Sequence, residues 1–272
     1  MNPLFDPYLP GDSWLHRLDP RAKLWALLLA GVAGLLFRQV GVLAGLLFLT
    51  HLLLLSARVP WDRLRWLWSR LWPLLAMILL LQPLLSAGSG LGGQGITLPL
   101  LHLGPIRLTV AGLLEGASYA LRVATLAFLV AALLLTTGLT ALVQGLVRLG
   151  LPYPWGLTVG LALRYLPTMD SLFVTVREAQ EARGWIVSQG GMLHRARAYI
   201  PVLVATIIAA LRLSDRLGLA LAARGLGYPA RRTALHDLCF RPADWLAVAL
   251  ATLTFGGLMV VRYGLGFGAR PW

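Results

Sequence analysis

Lysine is almost absent from this chain: of 24 basic residues only Lys23 is a lysine, and the rest are arginine. A P-loop of the usual form needs Gly-Lys followed by Ser or Thr, whereas Lys23 stands between Ala22 and Leu24. The chain therefore has no such nucleotide site of its own. Cysteine occurs once, at Cys239, which excludes an intramolecular disulfide and reads as a small buried side chain. Acids are scarce too, 11 against 24 basic residues, and charged residues make up 13% of the chain, far below the ~25% of a globular domain. The five histidines, His16, His51, His102, His194 and His236, lack the short spacing of a metal site, and no Ser, His and acid set is suggested by context. No row of polar residues runs through several apolar stretches, as a secondary transporter would need. Neither a cofactor nor a catalytic group is expected.

What the chain has in abundance is apolar surface. With 58% hydrophobic residues in 272, it reads as an all-α polytopic membrane protein. Residues 1–23 hold Asp6, Asp12 and Asp19 among Arg17, Arg21 and Lys23, too charged and too long for a signal-peptide n-region. Asp19-Pro20 then starts a helix, with Asp as N-cap and Pro pre-organised at the first position. About five spans follow: 20–37, with Arg21 and Lys23 expected to snorkel, then 41–55, 71–85, 110–137 and 245–261. Arg58, Arg63, Arg65 and Arg70 mix with Trp61, Trp66 and Trp68 between the second and third, a membrane-boundary composition that suggests a surface helix. Pro73 and Pro83 are expected to distort the third span. Residues 86–109 suggest a hairpin-like loop, where Gly88, Gly90 and Gly93 match the dinucleotide fingerprint only by chance, without a βαβ context. Glu115 and Arg122 lie near one face of the fourth span. They are functional candidates as intramembrane charges, or else Glu115 lies at the interface and Arg122 pairs with a carboxylate or a backbone carbonyl.

The arginines do not form a uniform patch with stacking aromatics, so nucleic acid is not the expected partner. They follow the membrane instead. With five alternating spans, nineteen of the 24 basic residues fall on the side of the N-terminus and of the stretch 138–243, and Arg38, Arg107, Arg262 and Arg270 fall on the other. That asymmetry places the N-terminus and the insert in the cytoplasm. The expected organisation is an N-terminal segment and four spans over 1–137, a cytoplasmic module over 138–243 and a last span over 244–272.

Within the insert, Leu139, Leu142, Val143, Leu146 and Val147 recur at helical spacing opposite Gln144 and Arg148, an amphipathic helix ended by Gly150-Leu151-Pro152. A second helix is expected over 155–183, interrupted at Pro167, and a third over 201–224, with a loop at 188–191 between them. Each is apolar first and charged later: Asp170, Arg177, Glu178 and Glu181 in one, Arg212, Asp215 and Arg216 in the other. A sixth span over 199–211 is rejected, since it would put Arg224, Arg231 and Arg232 outside. Both helices close on the same letters, Ala182-Arg183-Gly184 and Ala223-Arg224-Gly225. Glycine suits the left-handed C-cap, and arginine suits the negative end of the helix dipole. One such ending is what any well-capped helix can show; two in one basic segment suggest a paired device.

Five segments carry a resemblance: Tyr8-Leu9-Pro10-Gly11-Asp12-Ser13; His16-Arg17-Leu18-Asp19-Pro20-Arg21-Ala22-Lys23-Leu24; Leu163-Arg164-Tyr165-Leu166-Pro167-Thr168; Ala179-Gln180-Glu181-Ala182-Arg183-Gly184; and Ala223-Arg224-Gly225. Together they resemble the transmembrane T component of energy-coupling factor (ECF) transporters over nearly the whole chain. The resemblance implies a non-catalytic subunit of a bacterial or archaeal cell membrane importer. It would couple two cytoplasmic ABC ATPases to a substrate-binding membrane S component for vitamin or micronutrient uptake. Arg183 and Arg224 would insert into the ATPases, with Gly184 and Gly225 allowing the close turn and Glu178, Glu181, Asp215 and Arg216 supporting the helices. Relatives commonly carry an acid two places before the second arginine, where Ala222 stands here, so an acid–arginine pair at the second tip is not expected. The opening at Tyr8 is closer to the shared type serving several S components. The alternatives are a dedicated T component for cobalt, nickel or one other substrate, and an integral membrane enzyme built on Glu115 and Arg122.

Overall fold

A computed structural model describes residues 8–89, 99–103, 106–185, 191, 197–227 and 240–265. Cys239, His194, His236, Arg231, Arg232, Gly90, Gly93 and most of the 188–191 loop lie outside the described residues. The described residues divide into two compact units, one within 8–150 and 240–265 and the other within 151–227.

The first unit is a helical bundle: α1 (Trp14–Arg17), α2 (Pro20–Leu36), α3 (Val40–Ser56), α4 (Trp61–Ser89), α5 (Val110–Thr136), α6 (Leu139–Arg148) and α9 (Pro242–Leu265). A short antiparallel hairpin of β1 (Pro99–Leu103) and β2 (Ile106–Thr109) joins α4 to α5, with Leu101 opposite Leu108. The all-α expectation holds apart from this hairpin. Asp19 is the N-cap of α2 and its carboxylate accepts from the Arg21 N–H at 2.9 Å, with Pro20 opening the helix.

Helices α4, α5 and α9 are long and apolar enough to cross a membrane, over Trp61–Pro83, Gly112–Thr136 and Pro242–Gly264. At 17 residues each, α2 and α3 span only ~25 Å. They complete the bundle by packing. Leu126 of α5 lies 3.8 Å from where a side chain on Gly31 would start, the close approach that small residues allow between membrane helices. Around α5, Phe128 packs with Leu54 of α3 and Leu64 of α4, and Ala120 and Ala124 pack on Leu75 of α4.

One expectation about α4 is corrected. The Arg/Trp stretch is the first part of the third span's own helix, not a separate surface helix; Pro73 and Pro83 both lie inside that helix. Gly88 lies at the end of that helix, whereas a dinucleotide fingerprint would place it at the start of one. Helix α6 presents Leu142 and Val143 inward as its periodicity predicts, and Gly145 lets it approach α2: a Cβ there would sit 3.1 Å from the Cβ of Pro20.

Among the described residues, the second unit holds a pair of long helices, α7 (Tyr153–Ala182) and α8 (Ile200–Ala223). The expected break at Pro167 does not occur; α7 is continuous for 30 residues with the proline inside it. The far half of α7 packs on the start of α8, where Phe173 and Val176 cover the buried Ala198 and Val202 and the Phe173 ring stacks on Tyr199.

Candidate functional site

The two helix ends are the same object built twice. At the first, Arg183 is the C-cap of α7 with φ −84° and ψ 7°, and Gly184 follows at φ 85°. The Gly184 N–H donates to the Glu181 carbonyl at 2.9 Å and the Trp185 N–H to the Gln180 carbonyl at 3.0 Å. At the second, Arg224 caps α8 with φ −89° and ψ 12°, and Gly225 follows at φ 75°. The Gly225 N–H donates to the Ala222 carbonyl and the Leu226 N–H to the Leu221 carbonyl, both at 2.9 Å. This is the Schellman arrangement, with the glycine in the left-handed region that only a residue without a Cβ enters cheaply.

The backbone thus takes up the Gln180 and Glu181 carbonyls of α7 and the Leu221 and Ala222 carbonyls of α8. Arg183 and Arg224 are both exposed, and among the described residues neither guanidinium has a partner within the chain. Each presents a rigid five-donor fork to the surroundings. The Trp185 indole N–H, two residues past the first tip, donates to the Ala198 carbonyl just before α8 at 2.8 Å. This fastens the first tip to one end of α8 while Arg224 stands at the other. The 24 residues between, at ~1.5 Å each, set the tips roughly 36 Å apart.

The supporting residues are unequal. Glu181 pairs with Arg177 at 3.1 Å across one turn of α7, on a face where both side chains are more than two-fifths exposed. Glu178, Asp215 and Arg216 are exposed, and the second tip has no acid–arginine pair among the described residues, in keeping with Ala222. The face of α8 ahead of the tip is apolar and open: Ile200, Leu203, Val204, Ile207, Ile208 and Leu211 are each at least 47% exposed.

The competing candidates dissolve into packing. The Arg122 Nε donates to the Gly34 carbonyl at 3.0 Å and its Nη2 to the Phe37 carbonyl at 2.9 Å, so it caps the end of α2 and does not meet Glu115. In His51, one ring nitrogen donates to the Leu47 carbonyl at 2.9 Å, and the other accepts from the Trp68 indole at 3.1 Å beside Phe128. The carbonyl of Leu9 can only accept, so His16 Nε2 carries the proton it donates there at 3.0 Å, and Nδ1 takes the Ser13 hydroxyl at 2.6 Å. That ring explains Gly11, where a Cβ would lie 3.0 Å from the His16 Cε1. The described His, Cys, Asp and Glu residues form no metal-binding group.

One cluster was not legible from spacing. Lys23 does not snorkel: it is 8% exposed, and its Nζ donates inward to the Thr136 carbonyl at 3.0 Å and the Thr137 hydroxyl at 2.8 Å, at the end of α5. Beside it, buried Asp244 of α9 accepts from the Asp19 N–H at 2.7 Å. The available signals were a lone lysine and an aspartate at the foot of the last span.

These features describe a polytopic helical membrane protein carrying a pair of long helices with matching arginine tips. The family model described as "Cobalt transport protein" (CbiQ) matches residues 11–234, and the chain belongs to that family. It is similar to proteins named "Energy-coupling factor transporter transmembrane protein EcfT". The Listeria innocua protein is 32% identical, over 91% of this chain and 94% of the relative. The Heliobacterium modesticaldum protein is 31% identical over 90% and 91%, and that of Acidaminococcus fermentans 28% over 95% and 96%.

Proposed function

We propose that this chain is the transmembrane coupling subunit of an energy-coupling factor importer, joining two cytoplasmic ABC ATPases to a substrate-binding membrane S component. The observation that carries the reading is the pair of congruent, exposed Arg–Gly tips at opposite ends of α8. A separation of roughly 36 Å suits two partner subunits better than one small ligand. Each arginine would bind a carboxylate in an ATPase groove bidentately, the kind of desolvated contact that dominates an interface. The open apolar face of α8 would take the S component, so that movement at the tips reaches it directly. ATP hydrolysis belongs to the partners. The family membership and the relatives' names support this reading. The excess of arginine on the side of the N-terminus and of the insert supports a cytoplasmic position for both.

The test is co-purification from detergent with a pair of ABC ATPases. The native chain is expected to retain both, and absence of binding by the native chain would sink the reading. We further assign the shared type, on the opening Tyr8-Leu9-Pro10-Gly11-Asp12-Ser13 and on relatives named for energy coupling and not for one substrate. Reconstitution with several vitamin S components in turn decides this. Uptake with more than one supports the shared type, and uptake with a single cobalt or nickel component favours a dedicated subunit.

A further inference from the structure

Two segments of the bundle that flank residues 151–237 in the chain, the α5–α6 junction and the start of α9, are fastened to the first turn of α2. On the way out, α5 ends at Thr136, where the Lys23 ammonium holds the Thr136 carbonyl and the Thr137 hydroxyl, and α6 then runs on within the bundle before residue 151. On the way back, the first turn of α9 carries Asp244, whose Oδ1 accepts from the Asp19 N–H and whose Oδ2 accepts from the Arg241 N–H, each at 2.7 Å. Asp19 and Lys23 are themselves joined by the first turn of α2, the Lys23 N–H donating to the Asp19 carbonyl at 3.3 Å. All five side chains, of Asp19, Lys23, Thr136, Thr137 and Asp244, are buried. The carboxylates of Asp244 and Asp19 offset the buried ammonium electrostatically.

The chemistry suits a rigid joint. An ammonium at a helix C-terminus meets the negative end of the dipole, and a carboxylate accepting two backbone N–H groups is fixed in two directions. Buried groups of this kind are costly to separate, since each would be left unpaired away from water. An apolar contact of the same size would allow the helix ends to slide.

We infer that Asp19 and Lys23 form a clamp that holds the α5–α6 junction and the start of α9, the bundle segments that lead to and from residues 151–237, at a fixed spacing. Displacement entering the bundle through α6 and α9 is then passed on to α2 and α5 and is not absorbed at these junctions. Lys23, Asp19 and Asp244 act here as positioning residues. The transmission half of this inference rests on the coupling-subunit reading above; the holding half does not.

The test has two arms. In the first, Cys239 is replaced by serine, and spin labels are placed on the exposed Gln144 of α6 and Ala243 of α9, with the chain in lipid nanodiscs. Electron paramagnetic resonance gives the distribution of distances between them. Lys23→Met and Thr137→Val are expected to broaden it and Thr137→Ser to keep it narrow, because serine retains the hydroxyl acceptor. Should Lys23→Met fail to fold, the isosteric Thr137→Val, outside any helix, decides the same point. An unchanged distribution in a folded variant overturns the clamp. The second arm uses the full complex with ATPases and an S component, and measures substrate imported per ATP hydrolysed. Lys23→Met is expected to lower that ratio about ten-fold or more with ATPase binding unchanged, and Thr137→Ser to leave it near the native value. An unchanged ratio alongside a broadened distribution overturns transmission and leaves the holding. If the native chain binds no ATPase, the coupling reading fails, and the label distances still decide the clamp.

Discussion

The two units both place a cation at the end of a helix, and they use it in opposite ways. In the bundle the cation faces inward. Lys23 caps α5, Arg122 caps α2, and Arg262 of α9 reaches the Leu36 carbonyl at the same end of α2. At the tips of α7 and α8 the carbonyls are closed by the backbone around Gly184 and Gly225, and the arginine faces outward. The difference follows from the surroundings. A carbonyl buried among apolar helices has no water to satisfy it, so a side chain must. At an exposed tip a glycine turn does that work, and the guanidinium remains available to a partner.

The largest expected effect tests the outward half. Charge reversal at both tips, Arg183→Glu with Arg224→Glu, is expected to abolish co-purification with the ATPases, a loss of about 100-fold or more in affinity. Either reversal alone should release one ATPase and leave the other, as native mass spectrometry of the complex would show. Retention of both by the double variant would reduce the tips to ordinary helix ends.

The inward half is tested by Arg122→Met, which leaves the Gly34 and Phe37 carbonyls unpaired. A loss of roughly 1–3 kcal/mol should appear as a lower melting temperature in detergent, while ATPase binding stays unchanged. A fall in binding without a fall in stability would break the distinction between the two uses.

Gly184→Ala and Gly225→Ala separate backbone from side-chain effects. No heavy atom lies within 4 Å of the added Cβ at either position, so the whole cost comes from the left-handed backbone, about 1–2 kcal/mol each. Asparagine at the same positions should cost less, and affinity for the ATPases should follow that order.

The smallest effect is expected from Glu181→Gln. The Arg177–Glu181 pair is exposed and lies one turn apart, so its loss is worth roughly 0.3–0.5 kcal/mol. Thermal unfolding should barely register it. A large fall in ATPase binding with unchanged stability would move Glu181 from support of the helix to direct contact with the partner.

Much of this was readable before any coordinates. The Asp19-Pro20 start, the α5 limits and the amphipathic face of α6 follow from local rules of capping and period, which act over a few residues. The Ala-Arg-Gly endings were legible for the same reason, since a Schellman turn is written in its own glycine. Pro167 misled because a proline within a long helix costs about 3 kcal/mol, which packing along the helix can offset. The Arg/Trp stretch misled because its composition marks the membrane boundary without saying whether a helix continues through it.

Lys23 marks the limit of that reading. Its sequence neighbours, Arg21 and the apolar run after it, predict a side chain stretched toward water, and only the arrival of Thr136 and Thr137 from 113 and 114 residues away turns it inward. Sequence alone determined that this is a basic, helical membrane protein with paired arginine-tipped helices, because those properties are set by composition and by neighbours within a turn or two. The tertiary structure decided which cations face inward and which outward. Asp19, Lys23 and Asp244 meet because α9 runs alongside α2 in the same direction and α5 runs against it. No local pattern encodes that choice; it comes from the packing of helices distant in the chain.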